Sequence, residues 1–188
     1  MRAFLGIPLP EEARAALEQL ERTLARAEAD VKWVQSSHLH VTLKFLGEIS
    51  DAQRQAIEAL VARVTAKEPP FALRFDAVGA FPSLEAPRVI WVGLGEGNEA
   101  VSRIAEAIER EGAAIPLRKE EHPFSPHITL GRVRSPRGRQ TLVTALRDAR
   151  WDPPPPWRVS SVTLYESLLR PDGPHYAVLA ELPLLGKG

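Results

Sequence analysis

One short pattern of polar and apolar residues occurs twice in this sequence. Residues 40–43 read His-Val-Thr-Leu, and residues 127–130 read His-Ile-Thr-Leu. Both copies lie in apolar, β-branched segments of the kind that form β-strands. Side chains alternate between the two faces of a strand, so the histidine and threonine of each copy should share one face and the aliphatic pair the other. Each copy is therefore predicted to present one imidazole and one hydroxyl side by side.

Two imidazoles and two hydroxyls in one cleft suit the cleavage of a phosphodiester bond. We expect His40 and His127 to act as a general acid and a general base, because the ordinary pKa of histidine is about 6.5. The hydroxyls of Thr42 and Thr129 can donate to the non-bridging phosphoryl oxygens, where negative charge must be held. The chain has only five histidines, and two of them stand in matching contexts. The repeat therefore indicates paired catalysis without a metal or another cofactor.

Such a site needs a cation to neutralise charge at phosphorus, and Arg132 and Lys44 are the candidates for phosphate binding. Lys44 lies two residues after Thr42 and should share a face with it and with His40. Arg132 would lie on the opposite face of a regular strand. A bulge or bend at Gly131 is therefore needed to turn it inward.

Four other features leave alternatives open. His38 either shares a face with His40 as a metal ligand or is an ordinary turn or solvent-side histidine. Phe-Pro-Ser at residues 81–83 predicts a shaped turn, and the four tryptophans are interpreted as packing residues, with base stacking open for one of them. A basic segment indicates either a solvated loop and helix face or an edge that contacts phosphate. Its arginines are Arg132, Arg134, Arg137, Arg139, Arg147 and Arg150.

Composition excludes several other classes of protein. Cysteine is absent, which excludes disulfides, thiolate zinc sites and cysteine nucleophiles. There is no run of about 18 apolar residues and no long apolar leader, so we expect a cytoplasmic protein without a membrane span. No glycine-rich nucleotide-binding loop is present. The formal net charge is zero, so strong nonspecific attraction to nucleic acid is not expected.

Hydrophobic periodicity predicts intermixed helices and strands. The predicted helices are 11–29, 51–66, 99–111 and 140–147, with Ser50 and Asn98 as caps of the second and third. The predicted strands are 2–8, 31–34, 39–46, 71–78, 88–94, 126–133, 157–165 and 175–182. Hairpin-like strand pairs favour antiparallel or mixed sheets and hence an α+β fold. The length of 188 residues indicates one domain over residues 1–188, or two small, closely packed lobes.

Longer stretches around the motifs resemble a known family. They are Arg-Ala-Phe-Leu-Gly-Ile (2–7), Trp-Val (33–34), Leu-His-Val-Thr-Leu-Lys-Phe-Leu-Gly-Glu (39–48), Gly-Ala-Phe-Pro-Ser (79–83), Pro-Arg-Val-Ile-Trp-Val-Gly (87–93), Pro-His-Ile-Thr-Leu-Gly-Arg (126–132) and Leu-Tyr-Glu-Ser (164–167). Through them the chain resembles the two-histidine phosphoesterase superfamily. Within it, the chain is similar to the bacterial and archaeal RNA 2',3'-cyclic phosphodiesterases, also called 2'-5' RNA ligases.

The resemblance implies a bilobal α+β fold with pseudo-two-fold symmetry, helices packed outside the sheets and an active-site cleft between the lobes. It implies His40, Thr42, His127, Thr129 and Arg132 as the site. The implied reaction opens a terminal 2',3'-cyclic phosphate of RNA to a 2'-phosphate. Members also join such an end to a 5'-hydroxyl end through a 2'-5' linkage without ATP. The implied partner is RNA with a cyclic phosphate end, tRNA fragments among the candidates, and we expect a monomer without a protein partner.

Several alternatives to this function stay open. In the catalytic hypothesis His127 is the base and His40 the acid, although the repeat is nearly symmetric with respect to that choice. A related enzyme would act on 2'-5' oligonucleotides or small cyclic nucleotides. A non-catalytic module would bind RNA ends without turnover. A metal hydrolase would use His38, His40 and His127 as ligands.

Overall fold

The computed structural model describes residues 1–188 as ten strands and four α-helices, with short 3-10 turns at Ser36–His38 and Gly112–Ala114. The strands are β1 (Arg2–Pro8), β2 (Val31–Trp33), β3 (His40–Glu48), β4 (Phe71–Leu73), β5 (Phe75–Pro82), β6 (Pro87–Leu94), β7 (His127–Val133), β8 (Trp157–Val159), β9 (Ser161–Arg170) and β10 (Gly173–Pro183). The helices are α1 (Glu11–Ala25), α2 (Asp51–Thr65), α3 (Asn98–Glu111) and α4 (Arg139–Asp148). No helix combines the length and apolar character that a membrane crossing requires.

The strands form two four-stranded sheets and one two-stranded sheet, and every pairing is antiparallel. Sheet A has the order β10-β9-β1-β3, and sheet B has the order β2-β7-β6-β5. One His-x-Thr strand therefore lies in each of the larger sheets. Helices combined with antiparallel sheets confirm the predicted α+β class. The pseudo-two-fold relation between two lobes stays a prediction.

A single hydrophobic core of 38 buried residues draws on both larger sheets. In β3, Val41 and Leu43 are fully or almost fully buried, and in β7 so are Ile128 and Leu130. Full burial of an aliphatic side chain contributes about 1.5–3 kcal/mol, so each motif strand is held by its apolar half. We call the opposite face, which carries the histidine and threonine of each copy, the motif face.

The helix starts agree with the sequence in one case and differ in another. Ser50 caps α2 as predicted: its hydroxyl accepts from the Gln53 backbone N–H at 3.2 Å, and the Gln53 side chain accepts from the Ser50 N–H at 2.9 Å. The predicted cap of α3, Asn98, is wrong, because Gly97 holds that position with a φ of 86°. A Cβ at Gly97 would lie 2.3 Å from the carbonyl oxygen of Ala72, so the turn into α3 requires glycine.

Two predicted strands, 71–78 and 157–165, are each divided in the structure. Arg74 separates β4 from β5 because its backbone bonds to the turn at residues 95–96. Ser160 separates β8 from β9, and its carbonyl accepts a hydrogen bond from the C-terminal segment. The short strands β4 and β8 then pair with each other. Apolar residues continue through both breaks, so periodicity alone does not reveal a change of sheet.

Candidate active site

His40 is the first residue of β3, and two hydrogen bonds fix its ring. Its Nδ1 lies 2.6 Å from the carbonyl oxygen of His38, which can only accept, so Nδ1 carries a proton. Its Nε2 lies 2.9 Å from the hydroxyl of Thr42. The ring packs on Phe4 and meets Tyr176 edge-on, with centroid distances of 4.7 and 5.5 Å. Burial lowers the pKa of His40 against the opposing effect of the His38 hydrogen bond, so the neutral imidazole is favoured.

Gly6 in β1 provides the space in which the His40 ring lies. Gly6 pairs with Thr42 across the β1–β3 ladder. A Cβ at Gly6 would lie 2.8 Å from the carbonyl oxygen of Val41 and 3.4 Å from Cδ2 of His40. A larger residue would therefore displace both the strand and the imidazole.

His127 is the first residue of β7, and its Nδ1 is held in the same way as that of His40. Its Nδ1 lies 2.6 Å from the carbonyl oxygen of Ser125, so this nitrogen also carries a proton. Phe81 meets the ring edge-on at a centroid distance of 5.3 Å. Thr129, unlike Thr42, makes no hydrogen bond to its own histidine. Both imidazoles thus donate Nδ1–H to the carbonyl two residues earlier, and neither Nε2 bonds to the backbone.

The two motif strands contact each other although they belong to different sheets. The Val34 N–H donates to the Leu130 carbonyl at 2.8 Å, which ties the segment leading into β3 to β7. Six residues of chain, with a reach of about 20 Å when extended, separate Val34 from His40. Burial raises the pKa of Tyr176 in sheet A, and nearby arginines, Arg132 of sheet B among them, oppose that rise. Arg132 of sheet B therefore acts electrostatically on Tyr176, the residue that meets the His40 ring edge-on.

A β-bulge follows each motif and decides which residue next reaches the motif face. The register of β3 with β1 shifts after Thr42, and the register of β7 with β6 shifts after Thr129. Each bulge reverses the alternation of side chains. Phe45 and Arg132 consequently lie on the motif face and are exposed, and the Phe45 ring lies 6.3 Å from that of Phe4. The bulge that Arg132 was predicted to need is present.

The bulge in β3 also moves Lys44 to the core face, so the prediction that it shares a face with His40 is wrong. The Lys44 side chain is 5% exposed, and its ammonium donates to the carboxylate of Glu109 in α3. It also donates to the carbonyl of Arg118 at 3.2 Å. The structure does not bring Lys44 to the other predicted site residues. Lys44 instead joins β3 to α3 and to the segment that leads to His127.

His38 lies in the 3-10 turn before β3. Its ring lies 4.8 Å from that of Tyr176 and 6.5 Å from that of His175. Burial and the neighbouring His175 lower the pKa of His38. No three histidine, aspartate or glutamate side chains are grouped so that they could hold a metal ion.

The arginines of the basic segment have different partners. Arg134 and Arg137 pair with the carboxylate of Asp30 at 3.2 and 3.9 Å. Arg139 donates to a backbone carbonyl. Arg132 makes no ion pair and lies on the motif face. The solvated-face interpretation therefore suits part of the segment, and Arg132 is the member that lies unpaired on the motif face.

Three aromatic residues beside the imidazoles are not marked by the repeat: Phe4, Phe81 and Tyr176. Phe4 and Phe81 lie within the stretches that carry the family resemblance, so the sequence contains a signal that could identify them as site residues. Tyr176 lies outside those stretches, and no sequence pattern distinguishes it.

Comparison with known proteins matches most of the chain. The model of the 2'-5' RNA ligase superfamily matches residues 8–170. A Thermus thermophilus protein named RNA 2',3'-cyclic phosphodiesterase is 36% identical over 194 residues, which cover 100% of this chain and 92% of that protein. A protein of the same name from Methanothermobacter thermautotrophicus is 34% identical over 176 residues, which cover 94% of this chain and 95% of that protein.

Solved structures agree with these relatives. The crystal structure of TT0787 of Thermus thermophilus has a TM-score of 0.81 and 32% identity, covering 100% of both chains. The crystal structure of E. coli LigT complexed with 3'-AMP has a TM-score of 0.78 and 28% identity, covering 97% of both chains. The chain therefore belongs to the 2'-5' RNA ligase superfamily.

Proposed function

We propose that this protein hydrolyses 2',3'-cyclic phosphate ends of RNA to 2'-phosphates by acid–base catalysis between His40 and His127. One observation carries the proposal: two histidines begin two contacting strands, and each donates Nδ1–H to a backbone carbonyl at 2.6 Å. Both rings thus keep Nε2 for proton transfer. The substrate class is supported by relatives named RNA 2',3'-cyclic phosphodiesterase, which match along most of the chain.

The roles of the two histidines follow from the surroundings of His40. The sequence predicts His127 as the base and His40 as the acid. The lowered pKa of His40 supports the opposite assignment, because a base must be neutral before it can accept a proton. Nε2 of His40 takes a proton from the attacking water while His127 donates a proton to the leaving 3'-oxygen. The bond from phosphorus to the 3'-oxygen breaks as the bond to water forms, and the phosphate stays on the 2'-oxygen.

Three further residues hold the phosphate in this scheme. The hydroxyls of Thr42 and Thr129 donate to the non-bridging oxygens, and Arg132 neutralises the charge that develops on them. In the free protein the Thr42 hydroxyl lies 2.9 Å from Nε2 of His40. Since Nε2 of the neutral ring is an acceptor, that hydroxyl donates to it. The hydroxyl has to turn toward the phosphate before Nε2 can accept a proton from water, so substrate binding frees the base.

The same steps allow ligation when a 5'-hydroxyl takes the place of water. The 5'-oxygen then attacks phosphorus, the 3'-oxygen leaves, and a 2'-5' phosphodiester results. The cyclic phosphate is already activated by ring strain, so no ATP is required.

The test is incubation of the protein with an oligonucleotide that ends in a 2',3'-cyclic phosphate, in the presence of EDTA. We expect a 2'-phosphate product. The His40→Ala and His127→Ala variants should each lose about 100-fold or more of the turnover, whereas the exposed His122→Ala control should keep it. Near-normal turnover in both site variants would overturn the scheme.

The rival functions predict other results in the same assay. A metal hydrolase would be silent in EDTA and recover with zinc or manganese. A binding module would retain the RNA without releasing product. An enzyme for 2'-5' oligonucleotides or small cyclic nucleotides would prefer those substrates in direct competition.

A further inference from the structure

Beside His127 lies an aromatic pair that the acid–base scheme does not use, formed by Phe81 and Trp91. The Phe81 ring packs on the Trp91 indole at a centroid distance of 5.1 Å with an interplanar angle of 36°. It meets the His127 ring edge-on at 5.3 Å and 87°. Phe81 is 37% exposed, so part of this ring is open to a ligand.

Gly79 fixes the position of this pair. A Cβ at Gly79 would lie 2.3 Å from two carbon atoms of the Trp91 indole, so the indole lies flat against β5. Trp91 pairs with Gly79 on one side and with Thr129 on the other. The indole therefore packs alongside Phe81, and the pair forms an apolar surface next to the second motif.

Phe81 combines exposure with direct contact to a motif histidine. Five large hydrophobic residues are exposed, and Phe81 is the one whose ring meets a motif histidine. An exposed aromatic ring of this kind is what nucleic-acid-binding proteins use to stack bases.

We propose that Phe81, supported by Trp91, is the platform on which the base of the 3'-terminal nucleoside stacks. This inference rests on the proposed function, because that nucleoside carries the cyclic phosphate. The ribose alone joins the base to the reacting phosphorus. The Phe81 ring contacts His127 and so lies within the reach of a base whose phosphate is held there. Every base has a π-face, so the platform accepts all four bases and holds purines more tightly because they stack over a larger area.

The alternative role for Phe81 is to position His127 through the edge contact. Two substrates distinguish these roles: adenosine 2',3'-cyclic phosphate and the abasic 1-O-methylribose 2',3'-cyclic phosphate. A stacking platform raises kcat/KM for the adenosine substrate alone, because the abasic substrate has no base to stack. A positioning residue contributes equally to both, because both must react at the same imidazole.

The experiment measures kcat and KM of Phe81→Ala and Phe81→Trp on both substrates. We expect Phe81→Ala to lower kcat/KM for the adenosine substrate about 5- to 100-fold, mainly through KM, and to leave the abasic substrate unchanged. Phe81→Trp should retain the wild-type values. The control is Leu169→Ala, which removes a side chain of a residue that is 76% exposed and should change neither substrate. Equal losses on both substrates, or no loss on either, would overturn the proposal.

A binding measurement separates this proposal from the proposed function. Calorimetry should show that wild-type protein binds 2'-AMP more tightly than ribose 2'-phosphate. Phe81→Ala should remove that difference, even in a protein that shows no turnover. If the wild-type protein turns over neither substrate but the difference in binding behaves as described, the catalytic proposal fails and the platform stands. If the wild-type protein binds both phosphates equally, the platform fails.

Discussion

Lys44 provides a direct test of the face that the β3 bulge assigns to each residue. In Lys44→Met, the lost interactions are the charge-assisted bonds to Glu109 and to the Arg118 carbonyl. Removing one partner of a fully buried pair destabilises by about 3–5 kcal/mol. The Glu109 side chain is 40% exposed and can be rehydrated, and methionine fills much of the lysine volume. We therefore expect a loss of about 1–3 kcal/mol in the free energy of unfolding.

The opposite substitution should be more damaging. Glu109→Gln leaves the Lys44 ammonium, which is 5% exposed, without a carboxylate. Its cost should approach the upper part of the range for buried pairs, about 3 kcal/mol or more. A larger loss for Glu109→Gln than for Lys44→Met would show that the buried partner is the lysine.

The assay combines urea unfolding with kinetics on a cyclic phosphate substrate, and the control is Lys67→Met at an exposed lysine. We expect Lys44→Met to be less stable than the control, with KM within about two-fold of wild type. A KM raised about ten-fold in a variant of wild-type stability would mean that the ammonium meets phosphate. In that case the assignment of Lys44 to the core face would be wrong.

Three more predictions concern pH and close packing. Burial, with a smaller effect of Glu18, raises the pKa of Glu21 from 4.5 to about 8, so the folded protein keeps a proton that the unfolded chain releases within that window. The free energy of unfolding should therefore fall as pH rises from 4.5 to 8. In urea unfolding, Glu21→Gln should be about 1–3 kcal/mol more stable than wild type at pH 8 and equally stable at pH 4. Gly6→Ala should lower the free energy of unfolding by about 1–3 kcal/mol and remove most of the turnover. The control is Gly95→Ala, whose Cβ would have no neighbour closer than 3.7 Å, and it should change neither thermal unfolding nor activity. The rise of kcat/KM on the acidic side should follow a pKa below the ordinary histidine value and vanish in His40→Ala; its survival there would return the base role to His127.

The sequence predicts most of the site because alternation along a strand is a strong rule. His40 and Thr42 share a face, as do His127 and Thr129, and the aliphatic residues between them are buried as expected. The rule fails where a bulge adds a residue, and no residue type in β3 marks the bulge that turns Lys44 away. In β7, by contrast, Gly131 indicates the position of the corresponding bulge.

Other features depend on contacts between distant segments. The divisions at Arg74 and Ser160 arise because their backbone groups bond to other segments of the chain. The lowered pKa of His40 arises mainly from burial, which the tertiary packing of the ring creates. The sequence predicts Phe81 to lie in a turn, and its contact with His127 depends on how β5, β6 and β7 align. Pattern and propensity contain none of this information.

The two bulges occur at equivalent points but expose unlike side chains, a guanidinium from Arg132 and a phenyl ring from Phe45. The two non-bridging oxygens of a nucleoside 2',3'-cyclic phosphate are diastereotopic, because the ribose is chiral. In the proposed mechanism a single cation, Arg132, lies on one side of the phosphate and distinguishes the two oxygens. Of the two phosphorothioate diastereomers of a cyclic nucleotide, one places sulfur toward the arginine and the other places oxygen there, and the protein should process them at different rates.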